Sequence, residues 1–260
     1  MRMLPIFSSF RQFFSRFLRQ LFSKILYYFF RNRSILEWPS WFGEFANISI
    51  PQRVTNRPYP QTRGAANINV IFELLEKTNH LDGEIAECGV FQGSTLIPIA
   101  LYQKEKMINK SIFGLDSFEG FDEMVNIDIE LGGSEDSRKK HGGFSQTSLK
   151  YVLKQAEGFK VSSRIILLQG FFINSLHQIE NKKFSFVHLD CDLYYSYKVC
   201  LDFFYPRLVK GGIILFDEYN DPPWPGCNKA VDEFLADKKE KCIEIERNNY
   251  LKYYILKDQY

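Results

Sequence analysis

Apolar and polar positions along residues 64–260 switch repeatedly between two periods. Ala65–Thr78 sets Ile68, Phe72 and Leu75 on one side, the spacing of a helix. Glu84–Val90 is a short apolar run that reads as a strand, and Ser94–Lys104 returns to the helical period. Ser111–Leu115 reads as the next strand, and a Gly- and charge-rich loop follows to about residue 143. Ser145–Ala156 is helical, Arg164–Leu168 and Phe184–Leu189 are strands, and Tyr195–Leu208 is a helix. Gly211-Gly212 is expected to turn the chain into strand Ile213–Phe216, before a helix over Lys229–Ala236. Cys242–Glu246 and Leu251–Leu256 close as a strand pair around Arg247-Asn248-Asn249. This order predicts an α/β fold. Its sheet is mostly parallel and buried between helices on both faces, with an antiparallel C-terminal hairpin.

The first 63 residues follow other patterns. In residues 1–34, Phe7, Phe10, Phe14, Phe17, Leu18, Leu21, Ile25 and Tyr28 share one helical face, and Ser8, Gln12, Ser15, Arg16, Arg19, Gln20 and Ser23 fill the other. Residues 35–63 hold Pro39, Pro51, Pro58 and Pro60 beside Trp38, Trp41 and Phe42, an irregular aromatic flap. The expected organisation is therefore a helix over 1–34, a flap over 35–63 and a catalytic domain over 64–260.

Charge sharpens this division. Residues 1–34 contain seven Lys and Arg and no acid, which leaves −5 on the other 226 residues of a chain whose net charge is +2. A mildly acidic body does not suit nucleic acid. Cations interrupt the N-terminal segment too often for a spanning helix of about 20 apolar residues or for a secretory h-region. It suits a helix lying on an anionic membrane at the cytoplasmic face, a helix packed on the body or a second subunit, or an Arg-rich, acid-free mitochondrial presequence. Five scattered cysteines, never spaced C-x-x-C, point to a reducing, cytoplasmic compartment and away from a cysteine zinc site.

In open α/β sheets ligands sit beyond the carboxyl ends of the strands. The first strand runs into Glu87-Cys88-Gly89-Val90-Phe91-Gln92-Gly93-Ser94, a tight turn opening a helix. It is not G-x-G-x-x-G, and an acid two residues before the glycine suits an amino group better than a pyrophosphate. The second strand ends in Asp116, placed to hold a ribose diol. Two more strands end in Asp190-Cys191-Asp192 and in Asp217-Glu218, where four crowded carboxylates call for a hard divalent cation such as Mg²⁺, read on Asp190, Asp217 and Glu218.

These residues carry a family resemblance. AECGVFQGST, FGLDSFEGF, GFF, VHLDCDLYYS, FYPRLVKGGIILFDEY and WPGCNKAVDEF, in that order from about residue 64 onward, resemble the macrocin O-methyltransferase family of sugar O-methyltransferases. The resemblance implies a Rossmann-like methyltransferase sheet and an S-adenosyl-L-methionine- and Mg²⁺-dependent O-methyltransferase acting on a sugar or glycoside. It implies that Glu87, Gly89 and Ser94 surround the methionine part of the cofactor, that Asp116 binds the ribose, and that Ser117, Phe118, Gln169 and Gly170 lie near the adenosine. It further implies Mg²⁺ on Asp190, Asp217 and Glu218. The lysine that catechol-type enzymes carry just after the first acid is absent from Cys191-Asp192-Leu193, so Asp190 is the first choice of general base and His141 the second. The 117–144 loop and the 35–63 flap are expected to close over the site. Rival readings are a catalytically silent, membrane-recruited binding protein and an oxidoreductase on a similar sheet, the latter disfavoured by its missing cofactor motifs.

Overall fold

The computed structural model describes residues 16–33, 35, 38, 42–43, 46, 63–121, 126–132, 142–247 and 250–257. Seven strands form one sheet: β1 Glu84–Cys88, β2 Ile112–Asp116, β3 Ile165–Gln169, β4 Phe184–Leu189, β5 Leu208–Phe216, β6 Ile243–Arg247 and β7 Tyr250–Leu256. Their order is β3-β2-β1-β4-β5-β7-β6, with β1 to β5 parallel and β7 antiparallel to both its neighbours. The chain leaves β1 toward β2 on one side and places β4 on the other, so the topological switch lies between β1 and β4.

The helices are α1 Arg16–Phe30, α2 Arg63–Thr78, α3 Leu96–Glu105, α4 Asn126–Glu130, α5 Leu149–Gly158, α6 Phe172–Ser175, α7 Tyr194–Phe204 and α8 Pro225–Leu235. One face of the sheet packs against α2, α3 and α5 through Ile68, Leu75, Leu96, Val152 and Phe186, with α1 resting on α5. The other packs against α7 and α8 through Val187, Leu201, Phe204 and Val231. All six residues of β4 are buried, as a central parallel strand between two helical layers requires.

Three local expectations change. Gly211-Gly212 is no turn into a strand but lies within β5, where the register with β4 jumps from Phe184↔Leu208 to Phe186↔Ile213. That bulge is also hydrogen-bonded to β7, from Lys257 N–H to the Gly212 carbonyl at 2.9 Å. The loop after β2 contains the short helix α4. The described part of the flap, Ile35, Trp38, Phe42 and Ala46, is buried away from the expected site. Trp38 and Phe42 pack against Phe159, just past the end of α5, and Ile35 N–H donates to Glu105 Oε2 (3.0 Å) at the end of α3. Both helices run from the carboxyl edge of the sheet back to its amino edge, so these residues lie at the opposite edge from the strand tips.

Helix α1 is packed as well. Tyr27 meets Trp38 and Phe159 edge-on at 5.9 and 5.3 Å, and Ser23, expected on the polar outer face, is buried. Among the described residues no helix is long and apolar enough to cross a membrane.

Candidate active site

Gly89 ends β1 with φ of +92°, and a Cβ there would stand 1.6 Å from the carbonyl oxygen of Asp190. The tips of β1 and β4 therefore touch at a position that only glycine can hold. Around this contact lies a cavity of about 210 Å³, lined among others by Glu87, Gly89, Ser94, Asp116, Ser117 and Asp190. Six of the expected site residues thus meet in one hollow. Of the others, Phe118 and Gly170 act one step back, both through backbone N–H groups on Asp116. Gln169 is exposed beside Asp116 in the β2–β3 register. Asp217 and Glu218 stand behind Asp190 and do not line the cavity. His141 lies outside the described residues.

Asp116 is oriented by its neighbours. Phe91 N–H donates to Oδ2 and Phe118 N–H to Oδ1, each at 2.7 Å. Burial pushes this carboxyl above its ordinary value, and those backbone donors partly offset it. A carboxylate has about four acceptor positions, so two remain for a vicinal diol.

Glu87 is fully buried at the cavity wall. Its Oε1 lies 3.1 Å from His188 Nδ1, and its Oε2 is a buried oxygen without a hydrogen-bond partner among the described residues. Burial raises this carboxyl as well, with His188 working against it. A buried acceptor left open at a cavity suits a cationic donor such as an ammonium group.

His188 joins the two halves of the site. Its Nε2 lies 3.4 Å from Asp217 Oδ1, and Lys252 Nζ reaches the same oxygen at 2.8 Å. Burial opposes the imidazolium, but Asp217 and Glu87 outweigh it and hold His188 up at about 10. Burial likewise opposes ionised Asp217, yet Lys252 and His188 hold it well below the usual carboxylate range.

Asp190, Asp217 and Glu218 each offer an oxygen within 4.8 Å of the others. Burial and the charge of Asp217 push Asp190 up to about 7, and burial with Asp190, Asp192 and Asp217 raises Glu218 further. Crowded oxygen donors of this kind fit a hard dication, which would relieve both the burial and the repulsion. Glu218 is steadied by Tyr197, whose buried hydroxyl lies 2.6 Å from Oε2.

Asp192, one of the four strand-tip carboxylates but given no role from the sequence, also lines the cavity. Its backbone has φ of +60°, its N–H donates to Glu218 Oε2 (3.3 Å), and burial beside Asp190 raises its carboxyl. The available signal was its spacing, an acid two residues beyond a strand-ending acid. Phe91, Phe121, Phe144 and Trp224 form a connected set of rings at 5.3–6.4 Å, three of them on the cavity wall. The described ends of the 117–144 loop therefore do reach the site, and Phe121 N–H joins them through the Gly143 carbonyl (3.0 Å).

Comparison with known proteins agrees with this geometry. The macrocin-O-methyltransferase (TylF) family matches residues 63–248. Demethyldecarbamoylnovobiocin O-methyltransferase of Streptomyces niveus is 25% identical over 174 residues, 65% of each chain. A Streptomyces olivaceus enzyme, 8-demethyl-8-(2,3-dimethoxy-alpha-L-rhamnosyl)-tetracenomycin-C 4'-O-methyltransferase, is 27% identical over 154 residues, 58% of each chain. The chain thus spans less than two thirds of the length of these relatives. The solved structure of the O-methyltransferase NovP shares the fold, with TM-score 0.62, 23% identity and coverage of 75% of this chain and 81% of that one.

Proposed function

Because this chain belongs to the macrocin-O-methyltransferase family, we propose that it moves a methyl group from S-adenosyl-L-methionine to a hydroxyl of a sugar or glycoside, in the cytoplasm. The observation that carries the reading is the meeting of an open buried acid, Glu87, a doubly oriented acid, Asp116, and an acid cluster at one switch-point cavity. Glu87 would hold the ammonium and Asp116 the ribose hydroxyls. Asp190, Asp217 and Glu218 would hold Mg²⁺. When bound, the sulfonium would supply an electrophilic methyl group and the ion would supply charge that lowers the pKa of a nearby hydroxyl.

Asp190 lies in two sets of possible metal ligands, one with Asp217 and Glu218 and one with Glu87 and His188, so an ion would engage its carboxylate. Asp192 belongs to neither and faces the same cavity. We therefore assign the acceptor's proton to Asp192 and a metal-holding role to Asp190. The aromatic wall of Phe121 and Phe144 would seat the acceptor and exclude water. The Streptomyces olivaceus relative is named for an acceptor that carries a rhamnosyl group, and this supports the same acceptor class here.

Isothermal titration with adenosylhomocysteine and a methyl-transfer assay on a panel of glycosides test the reading. Binding of NAD⁺ in place of adenosylhomocysteine would overturn it. Asp192→Asn should remove turnover while adenosylhomocysteine and Mg²⁺ still bind, whereas Asp190→Asn should weaken Mg²⁺. Full turnover in excess EDTA would remove the ion from the mechanism.

A further inference from the structure

Helix α1 meets the body along only part of its circumference. Ser23 and Tyr27 are buried there, and Leu26 and Phe30 pack at the edge of the core. Leu21, Ile25, Tyr28 and Phe29 form a second stripe, 45%, 45%, 61% and 70% exposed. Their spacing of i, i+4, i+7 and i+8 keeps them on one side of the helix. One element thus carries a face packed on the body and a separate exposed apolar face.

The surroundings of the stripe are cationic. Lys24, Arg31 and Arg33 are exposed, and the Arg31 guanidinium lies 4.0 Å over the Tyr28 ring. Residues 1–34 contain no acid. Past the end of α1, a cleft of about 320 Å³ separates it from the body, with Arg31, Arg33 and Lys104 in its walls. Its one acidic wall residue, Glu105, accepts the Ile35 N–H.

We propose that this face of α1 is a docking surface for a bilayer rich in anionic phospholipid. Leu21, Ile25, Tyr28 and Phe29 would enter the boundary between headgroups and acyl chains, and Arg31, Arg33 and Lys104 would take lipid phosphates. Charge decides between this occupant and a second copy of the chain. Pairing two copies through α1 would bring together two segments of seven cations each with no acid to offset them. An anionic surface instead rewards each cation, by roughly fivefold in partitioning. Tyr27 keeps α1 fixed to the body during docking. The catalytic cavity opens at the other edge of the sheet, about one length of α5, roughly 15 Å, from this anchor. A docked molecule would therefore meet its acceptor from the aqueous side.

The test is cosedimentation of the full chain with phosphatidylcholine vesicles, with and without about 30 mol% phosphatidylglycerol. Binding is expected only with the anionic lipid, and release at about 0.5 M salt, where the Debye length shrinks to a few ångströms. Ile25→Asp with Phe29→Asp should weaken binding by about tenfold or more without lowering the melting temperature, since both side chains are exposed. Arg31→Glu with Arg33→Glu should remove the anionic preference in a helix whose apolar stripe is untouched. Equal pelleting with both vesicles, or with neither, would overturn the proposal. So would a wild-type dimer in sedimentation equilibrium that Ile25→Asp with Phe29→Asp converts to monomer, because a second copy would then cover the stripe. None of these readouts depends on methyl transfer, so failure here and failure of the methyltransferase reading are separable.

Discussion

Under the proposed function, Asp116 would be a side chain prepared for its ligand before it arrives. Two backbone donors fix its carboxylate, so Asp116→Ala should weaken adenosylhomocysteine binding by roughly 1–3 kcal/mol, the range for charge-assisted hydrogen bonds. Titration calorimetry checks this. Its position after a buried apolar strand made it legible without a structure. His188 was not legible in the same way, because a histidine inside an apolar strand reads as core. Its role comes from the register that sets it beside Glu87 and from β7, which delivers Lys252 to the same acid. Since its folded pKa of about 10 exceeds the unfolded value near 6.5, its stabilisation is complete below about pH 6.5. It is lost as pH rises through about 10. His188→Gln should therefore flatten the decline of stability between those limits. Parallel wild-type and variant profiles in denaturant titrations would contradict the assignment.

Helix α1 gives the corresponding lesson for an element. Periodicity identified it as amphipathic and grouped Leu21, Ile25 and Tyr28 as its apolar face. The fold buries Ser23 and Tyr27 instead, because Trp38 and Phe159 present an aromatic pocket of the right shape. Tyr27→Ala should cost about 3 kcal/mol through the cavity it leaves, while Phe29→Ala should change stability by less than about 0.5 kcal/mol. Urea unfolding of the two variants distinguishes the faces. The β1–α3 connection is under tighter control. Gly89→Ala places a methyl against the Asp190 carbonyl at a backbone angle that alanine resists, and should cost roughly 4 kcal/mol or more. The same chemical denaturation should show it as far less stable than wild type.

At the scale of the whole molecule, an ion bound at the acid cluster would make stability depend on ligand. At about 100 Kd an ion that binds only the folded state adds about 2.7 kcal/mol, worth several degrees in a domain of this size. Mg²⁺ should raise the melting temperature of the wild type but not of Asp190→Asn, and adenosylhomocysteine should raise both. Scanning fluorimetry of the two proteins with each ligand checks this. From the sequence alone came the alternation of strand and helix, the parallel sheet, the acids at strand tips and the family to which they belong. Those features rest on local periods and on residues near one another in the chain. The insertion of β7 between β5 and β6, the burial of Trp38 and Phe42 at the amino edge, the face by which α1 docks and the link from Glu87 through His188 and Asp217 to Lys252 came only from the tertiary structure. Each joins segments far apart in sequence, and which partner a half-apolar surface or a buried charge meets is decided by packing rather than by its own period.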